Sequence, residues 1–181
     1  MTVILLLFSI LLCSCQMEEV IPEQGDTCSI YFEHKELFQN SVEALLKIDY
    51  DCLISRTDYY SPEGSENFTG LYIQNMSDSS FSEFTESSVQ TLFDETNVKL
   101  VDFLRVEDLS ICAFDMCVPG RNFDFGIYYV SEDAPIYFGD PSIPLIQKGN
   151  GFTYEKAASY GTKFTYYTEK IADQFYYYEI I

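Results

Sequence analysis

Apolar residues recur with helical spacing in the first third of the chain. Phe38, Val42 and Leu45 lie three or four positions apart within residues 30–48. This spacing places their side chains on one face of an α-helix and leaves polar side chains on the opposite face. We therefore predict an amphipathic helix over residues 30–48.

A second helix is predicted within residues 76–96. Its candidate N-cap residues are Ser77, Asp78 and Ser79, whose side-chain oxygens can accept hydrogen bonds from the first free backbone N–H groups of a helix. The apolar positions that follow them with mixed helical spacing are Phe84, Val89, Leu92 and Phe93.

Short β-leaning runs make up most of the remaining chain. Residues 50–55 and 69–75 each predict a strand. After Asn97 almost the whole sequence consists of short segments with high β-propensity. The later runs, separated by Pro, Gly, Asn or Asp, are VKLVDFLRVED, LSICAFDMCV, FDFGIYYVSE, GFTYEK, GTKFTYYTEK and QFYYYEII. We predict an α+β fold with two amphipathic helices packed on a largely antiparallel sheet that ends in a C-terminal meander.

The N-terminal apolar run, VILLLFSILL at residues 3–12, indicates a targeting segment and not an element of the folded domain. A helix that spans a bilayer needs roughly 20 residues, whereas the apolar core of a secretory signal needs about 7–15. We therefore interpret residues 1–14 as a signal peptide, with a hydrophobic segment buried in the fold as the alternative.

The end of this run resembles a bacterial lipobox, in which an aliphatic residue and two small residues precede a lipidated cysteine. Leu12, Cys13, Ser14 and Cys15 supply this pattern. Cys15 is the predicted lipidation site, because small Ser14 suits the position before the cleaved bond better than bulky Leu12 does. The resemblance implies an extracytoplasmic domain anchored to the cell membrane, and plain secretion is the alternative.

Residues 15–27 contain Pro, Gly and acidic side chains without an apolar period. This composition is typical of a tether. We predict a lipidated tether over residues 15–27 and a single domain over residues 28–181, a length that suits one hydrophobic core.

The net charge of −19 narrows the classes of partner. Nucleic acid is not expected, because phosphate binding depends on clustered Lys and Arg. Anionic lipid headgroups should also repel the domain, so membrane attachment would depend on the lipid at Cys15. Three reasons for the charge stay open, namely a cationic partner, metal ions and simple solubility.

Four cysteines lie beyond the predicted cleavage site: Cys28, Cys52, Cys112 and Cys117. In an oxidising compartment they could form disulfides, and three pairings are open. Cys112 and Cys117 would point to opposite faces of a straight strand, so a bond between them needs a bend, whereas Cys28 could bridge to Cys52. Free buried thiols are the alternative.

Catalytic and metal signals are weak. His34 is the single histidine, which excludes a zinc site with several His ligands, and its place in a predicted helix favours a solvated surface position. The chain lacks the glycine-rich phosphate-binding motifs and the GxSxG hydrolase motif. We predict no catalytic residue, metal or cofactor, and the 29 acidic residues offer too many carboxylate pairs to single one out.

Aromatic residues are the most distinctive feature, at 17% of the chain without any Trp. In the run QFYYYEII, alternation places Phe175 and Tyr177 on one face of a strand and Tyr176 and Tyr178 on the other. If the helices cover the first face, Tyr176 and Tyr178 could form an exposed binding face for a sugar, a peptide or another protein. Cross-strand packing that stabilises the sheet is the alternative.

The C-terminal half carries a family resemblance. GIYYVSEDAPIYF at residues 126–138, a Gly-Asn-Gly-Phe turn, and YYTEKIADQFYYYE at residues 166–179 resemble a family of small, functionally uncharacterised exported proteins and lipoproteins of Gram-positive bacteria. Phe175 stands where that family usually has Trp, and Val130 follows the Tyr pair. The resemblance implies export and this order of elements, and it transfers no catalytic residue.

These patterns favour a lipid-anchored binding or interaction domain at the cell envelope, whose partner would be an envelope protein or a glycan. One alternative is a secreted hydrolase that uses acidic residues, which should show a cleft with two carboxylates of different pKa. Another is an inhibitor or sensor partner of an envelope enzyme, which should present a protruding loop.

Overall fold

The computed structural model describes residues 24–60, 68–116, 124–157 and 163–181. These residues contain three helices, α1 (Gln24–Glu33), α2 (Lys35–Leu45) and α3 (Ser87–Glu95). They also contain one ten-stranded sheet. Its strands are β1 (Cys52–Arg56), β2 (Leu71–Asn75), β3 (Phe81–Phe84), β4 (Leu100–Val106), β5 (Leu109–Asp115), β6 (Asp124–Val130), β7 (Ile146–Lys148), β8 (Gly151–Ala157), β9 (Lys163–Ala172) and β10 (Phe175–Ile180).

The sheet is antiparallel at every strand pair, in the order β3-β2-β1-β4-β5-β6-β10-β9-β8-β7. The predicted α+β class is therefore confirmed, but the C-terminal strands do not form one simple meander. After β6 the chain crosses to the far edge, where β7 begins, and then returns strand by strand until β10 lies beside β6. Residues 131–145 make this crossing, and we call them the covering segment.

The helices differ from the prediction in number and in position. The predicted helix over residues 30–48 is two helices, which meet at His34 in a turn. Helix α1 begins at Gln24, before the predicted start of the domain at Cys28, and buries Thr27 and Tyr31 one turn apart on one face.

The predicted helix over residues 76–96 begins later than its cap candidates suggest. Asp78 accepts a hydrogen bond from the Ser80 backbone N–H at 2.9 Å, within the turn between β2 and β3. Short polar side chains serve turns as readily as helix caps, so the pattern was ambiguous. Phe81–Phe84 then forms strand β3, and α3 starts at Ser87.

The helices cover one face of the sheet, which we call the inner face. The core on this side contains side chains from α1, α2, α3 and the central strands. Its large members include Tyr31, Phe38, Leu92, Phe103, Phe114, Phe175 and Tyr177. Phe38 packs edge-on against Phe114, with ring centroids 5.2 Å apart, which joins α2 directly to the centre of the sheet.

The opposite, outer face carries a second core beneath the covering segment. Ile136 is 8% exposed, and Tyr137, Phe138 and Leu145 pack around it. The sheet side of this core includes Tyr128, Tyr166, Tyr176 and Tyr178. Both faces of the sheet are therefore covered in this region, by helices on one side and by a segment without long regular structure on the other.

Candidate functional site

A cleft of about 450 Å³ opens where the covering segment meets β8 and β9. We call it the aromatic cleft. The covering segment and the two strands line it with Tyr137, Gly139, Asp140, Ile143, Tyr154, Lys156, Ala157 and Phe164.

Strand register explains why the sheet side of the cleft is aromatic. Tyr154 pairs with Tyr166, and Lys156 pairs with Phe164, in the antiparallel β8–β9 ladder. Paired residues and residues two apart on a strand share one face, so all four side chains project from the outer face. The ladder thus arranges three rings and one ammonium group side by side.

Tyr137 completes the ring cluster from the covering segment. Its ring centroid lies 5.0 Å from that of Tyr166, 5.5 Å from that of Tyr154 and 6.0 Å from that of Phe164. Tyr166 is fully buried beneath the cluster, whereas Tyr137, Tyr154 and Phe164 are each partly exposed. The cleft therefore presents aromatic surface that is anchored below and accessible above.

A glycine allows Tyr137 to take this position. A β-carbon at Gly139 would lie 2.8 Å from both the Cζ atom and the hydroxyl oxygen of Tyr137, closer than carbon atoms pack. Any larger residue at position 139 would therefore push the Tyr137 ring or the adjacent chain out of place.

Polar groups flank the rings. Asp140 accepts hydrogen bonds from the Ser142 backbone N–H at 3.1 Å and the Ser142 hydroxyl at 2.6 Å, which fixes its carboxylate at the cleft. Burial, and after it the nearby Tyr154 and Asp140, raise the pKa of Tyr137, so its hydroxyl keeps its proton at neutral pH. In the described part of the chain no ion pair engages Lys156. The cleft thus offers hydrogen-bond donors and acceptors beside its rings.

Tyr176 and Tyr178, the predicted binding face, lie in the outer core. Their exposed fractions are 2% and 1%, so the prediction that these two side chains are exposed is wrong. Tyr176 donates a hydrogen bond to Asp133 at 2.9 Å, and Tyr178 donates one to Asp115 at 2.9 Å. The predicted alternation across the strand is correct, but the covering segment closes over this face.

The three described cysteines, Cys28, Cys52 and Cys112, are free thiols. Cys52 of β1 and Cys112 of β5 both lie opposite Phe103, which is on the intervening strand β4. Two strand spacings, about 9–10 Å, therefore separate the two cysteines. That separation is too large for a disulfide. Burial raises the pKa of Cys52 to about 12, which keeps this thiol protonated and unreactive. Cys117 and the predicted lipidation site, Cys15, lie outside the described residues.

The remaining sequence candidates do not converge on the cleft. His34 lies between α1 and α2, where its Nδ1 atom is 3.8 Å from a carboxylate oxygen of Glu95. Among the described residues, no group of three or more His, Cys, Asp and Glu side chains is arranged to hold a metal ion. None of the helices in those residues is long and apolar enough to cross a membrane.

The sequence predicted strands over GFTYEK and GTKFTYYTEK, which supply the sheet side of the cleft, but the predicted binding face was placed on Tyr176 and Tyr178 and not on Tyr137, Tyr154 or Phe164. The signal that could have found it is the run Ile136-Tyr137-Phe138 directly after Pro135. Three consecutive large apolar residues in a loop indicate that the loop packs onto something.

Comparison of the chain with protein-family models, with curated proteins and with solved structures finds no match.

Proposed function

We propose that this protein is a lipid-anchored extracytoplasmic domain that binds a glycan in the aromatic cleft. The observation that carries the proposal is the set of three partly exposed rings, Tyr137, Tyr154 and Phe164, around one cleft with Asp140 and Lys156 beside them.

Sugar chemistry suits this combination of groups. One face of a pyranose ring consists largely of C–H bonds, which pack favourably against an aromatic face, while its hydroxyls need donors and acceptors at the ring edge. The Asp140 carboxylate can accept such bonds, and the Lys156 ammonium can donate them. Because these two charges offset each other, the cleft suits an uncharged ligand even though the chain carries a net charge of −19.

The proposed extracytoplasmic, lipid-anchored location is part of the same proposal. Its support is the apolar leader at residues 3–12, the lipobox-like end at Cys15 and the resemblance to exported Gram-positive proteins. A domain held at the cell surface by a lipid would meet envelope glycans at high local concentration, which suits a shallow site of modest affinity.

The test is titration of the folded domain with N-acetylglucosamine tetramer by calorimetry, together with binding to purified peptidoglycan sacculi. We expect saturable binding that weakens about fivefold or more in Tyr154→Ala, since the loss of an aromatic contact removes on the order of 1 kcal/mol or more.

Tyr60→Ala is the matched control, because Tyr60 is an exposed tyrosine, 44% accessible, that does not line the cleft. Circular dichroism should show that both variants fold. Equal affinity in the two variants, or no saturable binding to either the tetramer or the sacculi, would contradict the proposal.

We favour binding without turnover over the hydrolase alternative. The described lining of the aromatic cleft includes one carboxylate, Asp140, whereas glycoside hydrolysis ordinarily uses a pair of carboxylates on opposite sides of the bond that breaks. Release of reducing ends during incubation with sacculi would favour the hydrolase instead.

A further inference from the structure

Three residues of the covering segment line the aromatic cleft at intervals of three along the chain. They are Tyr137, Asp140 and Ile143. The Asp140 backbone N–H donates to the Tyr137 carbonyl at 3.0 Å, and the Ile143 backbone N–H donates to the Asp140 carbonyl at 3.1 Å. These are two successive turns, each of which keeps its first and last Cα atoms within about 7 Å of each other. The wall of the cleft therefore carries a ring, a carboxylate and an aliphatic side chain in close succession.

The second turn leaves one oxygen of the Asp140 carboxylate open to a ligand. The backbone N–H and the hydroxyl of Ser142 both donate to Oδ1, at 3.1 Å and 2.6 Å. Within the ranges that the structure describes, no hydrogen bond engages Oδ2. Ile143, at the end of the same turn, is partly exposed. The turn thus presents an acceptor and an accessible apolar side chain next to each other.

The opposite wall of the cleft supplies a hydrogen-bond donor. Lys156 lies opposite Phe164 in the β8–β9 ladder, and both residues line the cleft. The Lys156 side chain is exposed, and an ammonium group has three donors and no acceptor. A ligand between the two walls therefore meets an acceptor and an aliphatic group from the covering segment and a donor from the sheet.

We infer that the aromatic cleft selects sugars that carry an acetamido group. The inference rests on the proposed glycan binding and narrows it to one class of sugar. The amide N–H would donate to Asp140, the amide carbonyl would accept from Lys156, and the methyl group would contact Ile143. An acetamido group has one donor, one acceptor and one methyl group, so each of the three side chains gains a partner of matching chemistry.

Other substituents at the same position of the sugar match fewer of these side chains. A hydroxyl can form hydrogen bonds with Asp140 or Lys156, but it gives Ile143 no apolar partner. An ammonium group would be repelled by Lys156, and a carboxylate would be repelled by Asp140. The neutral amide meets neither repulsion. The combination of two opposite charges and one aliphatic side chain is therefore the feature that discriminates among sugars.

The test compares two β-1,4-linked tetramers by calorimetric titration of the protein, one of N-acetylglucosamine and one of glucose. The glucose tetramer has the same linkage and the same ring faces, with a hydroxyl in place of each acetamido group. We expect the N-acetylglucosamine tetramer to bind at least about tenfold more tightly, because a buried methyl group and an additional hydrogen bond act together.

Ile143→Thr should reduce this preference. Threonine keeps the branch at Cβ but replaces part of the apolar side chain with a hydroxyl. We expect the affinity for the N-acetylglucosamine tetramer to fall about fourfold and the affinity for the glucose tetramer to stay unchanged. Ile146→Thr is the matched control, because Ile146 is 71% exposed on β7 and does not line the cleft. Circular dichroism should show that both variants fold.

The outcomes separate this inference from the proposed function. Equal affinity of the parent protein for the two tetramers would overturn the inference and leave glycan binding in place. An equal loss of affinity for both tetramers in Ile143→Thr would also overturn it, since Ile143 would then contact the sugar ring and not its acetamido group. The same loss in Ile146→Thr as in Ile143→Thr would do so too. Binding of neither tetramer would contradict the proposed function and the inference together.

Discussion

At the residue scale, Asp102 is a carboxylic acid whose buried surroundings disfavour its charged form. It lies on the outer face of β4, between Val101 and Phe103 of the inner core, and pairs with Leu53 on one side and Ala113 on the other. Burial raises the pKa of Asp102 to about 6. The folded protein therefore holds this proton more tightly than the unfolded chain does, so the contribution of Asp102 to stability is greatest below about pH 4 and falls as the pH rises to 6.

Asp102→Asn should remove this pH dependence. We expect the variant to be more stable than the parent at pH 7.5, by roughly 3 kcal/mol, because an amide carries no charge to desolvate. At pH 4 the two proteins should be nearly equal in stability. Urea unfolding at the two pH values measures the difference.

Asp108→Asn is the control, since Asp108 is exposed in the turn between β4 and β5. It should shift stability equally at both pH values. An Asp102→Asn variant whose free energy of unfolding follows the parent at every pH would show that Asp102 is not desolvated in the folded protein.

At the element scale, the covering segment is the feature that decides the character of the outer face. It is irregular over most of its length, yet its centre is held by two tyrosine hydroxyls from the sheet. The Ile136 backbone N–H donates to the Tyr128 hydroxyl at 3.1 Å, and the Tyr166 hydroxyl donates to the Ile136 carbonyl at 2.8 Å. These buried bonds replace the backbone ladder that a strand would have supplied.

Tyr166→Phe should loosen the covering segment without unfolding the sheet. The change leaves the Ile136 carbonyl buried and unpaired, which costs on the order of 1–2 kcal/mol. We expect amide hydrogen exchange in residues 136–140 to accelerate about tenfold, while amides of β1 and β2 stay protected.

Tyr177→Phe is the matched control on the inner face, where the lost bond runs from the Tyr177 hydroxyl to Glu179 at 2.8 Å. Exchange in the covering segment should not change in this variant. If residues 136–140 exchanged at the parental rate in Tyr166→Phe, the Tyr166 hydroxyl would not be what holds the segment.

At the scale of the whole molecule, the net charge determines which kind of membrane attachment is open to the protein. A chain with a net charge of −19 is repelled by anionic lipid, so the proposed membrane residence depends on the lipid at Cys15. The thermodynamic contribution of an acyl chain is about 0.8 kcal/mol for each buried CH₂, and two or more chains give stable attachment.

Cys15→Ser should release the protein from membranes or stop its maturation. Cell fractionation followed by mass spectrometry of the protein reports both outcomes. Cys13→Ser is the control, because Cys13 is one of the two residues between Leu12 and the proposed acceptor and should tolerate a small polar replacement. Membrane association and normal maturation of the Cys15→Ser protein would refute the anchor.

Prediction from the sequence succeeded where neighbouring residues carry the information. Alternation correctly divided Phe175 and Tyr177 from Tyr176 and Tyr178, and the α+β class followed from the order of periodic segments. It failed for Phe81–Phe84, which forms β3 because β2 supplies hydrogen-bonding partners in register with it. It also missed the short strand β7, whose Ile146–Lys148 backbone pairs with β8 at the edge of the described sheet.

The sequence by itself determined which side chains share a face, the strongly acidic charge and the character of the leader, because each depends on local order or on composition. Only the tertiary structure decided the neighbours of each strand, the covering of the outer face by residues 131–145 and the existence of the aromatic cleft. Tyr137 and Phe164 are distant in the sequence, and the fold brings their rings into contact at the cleft. Periodicity within a segment says which way a side chain points along its own strand, and it carries no information about which distant segment will lie over it.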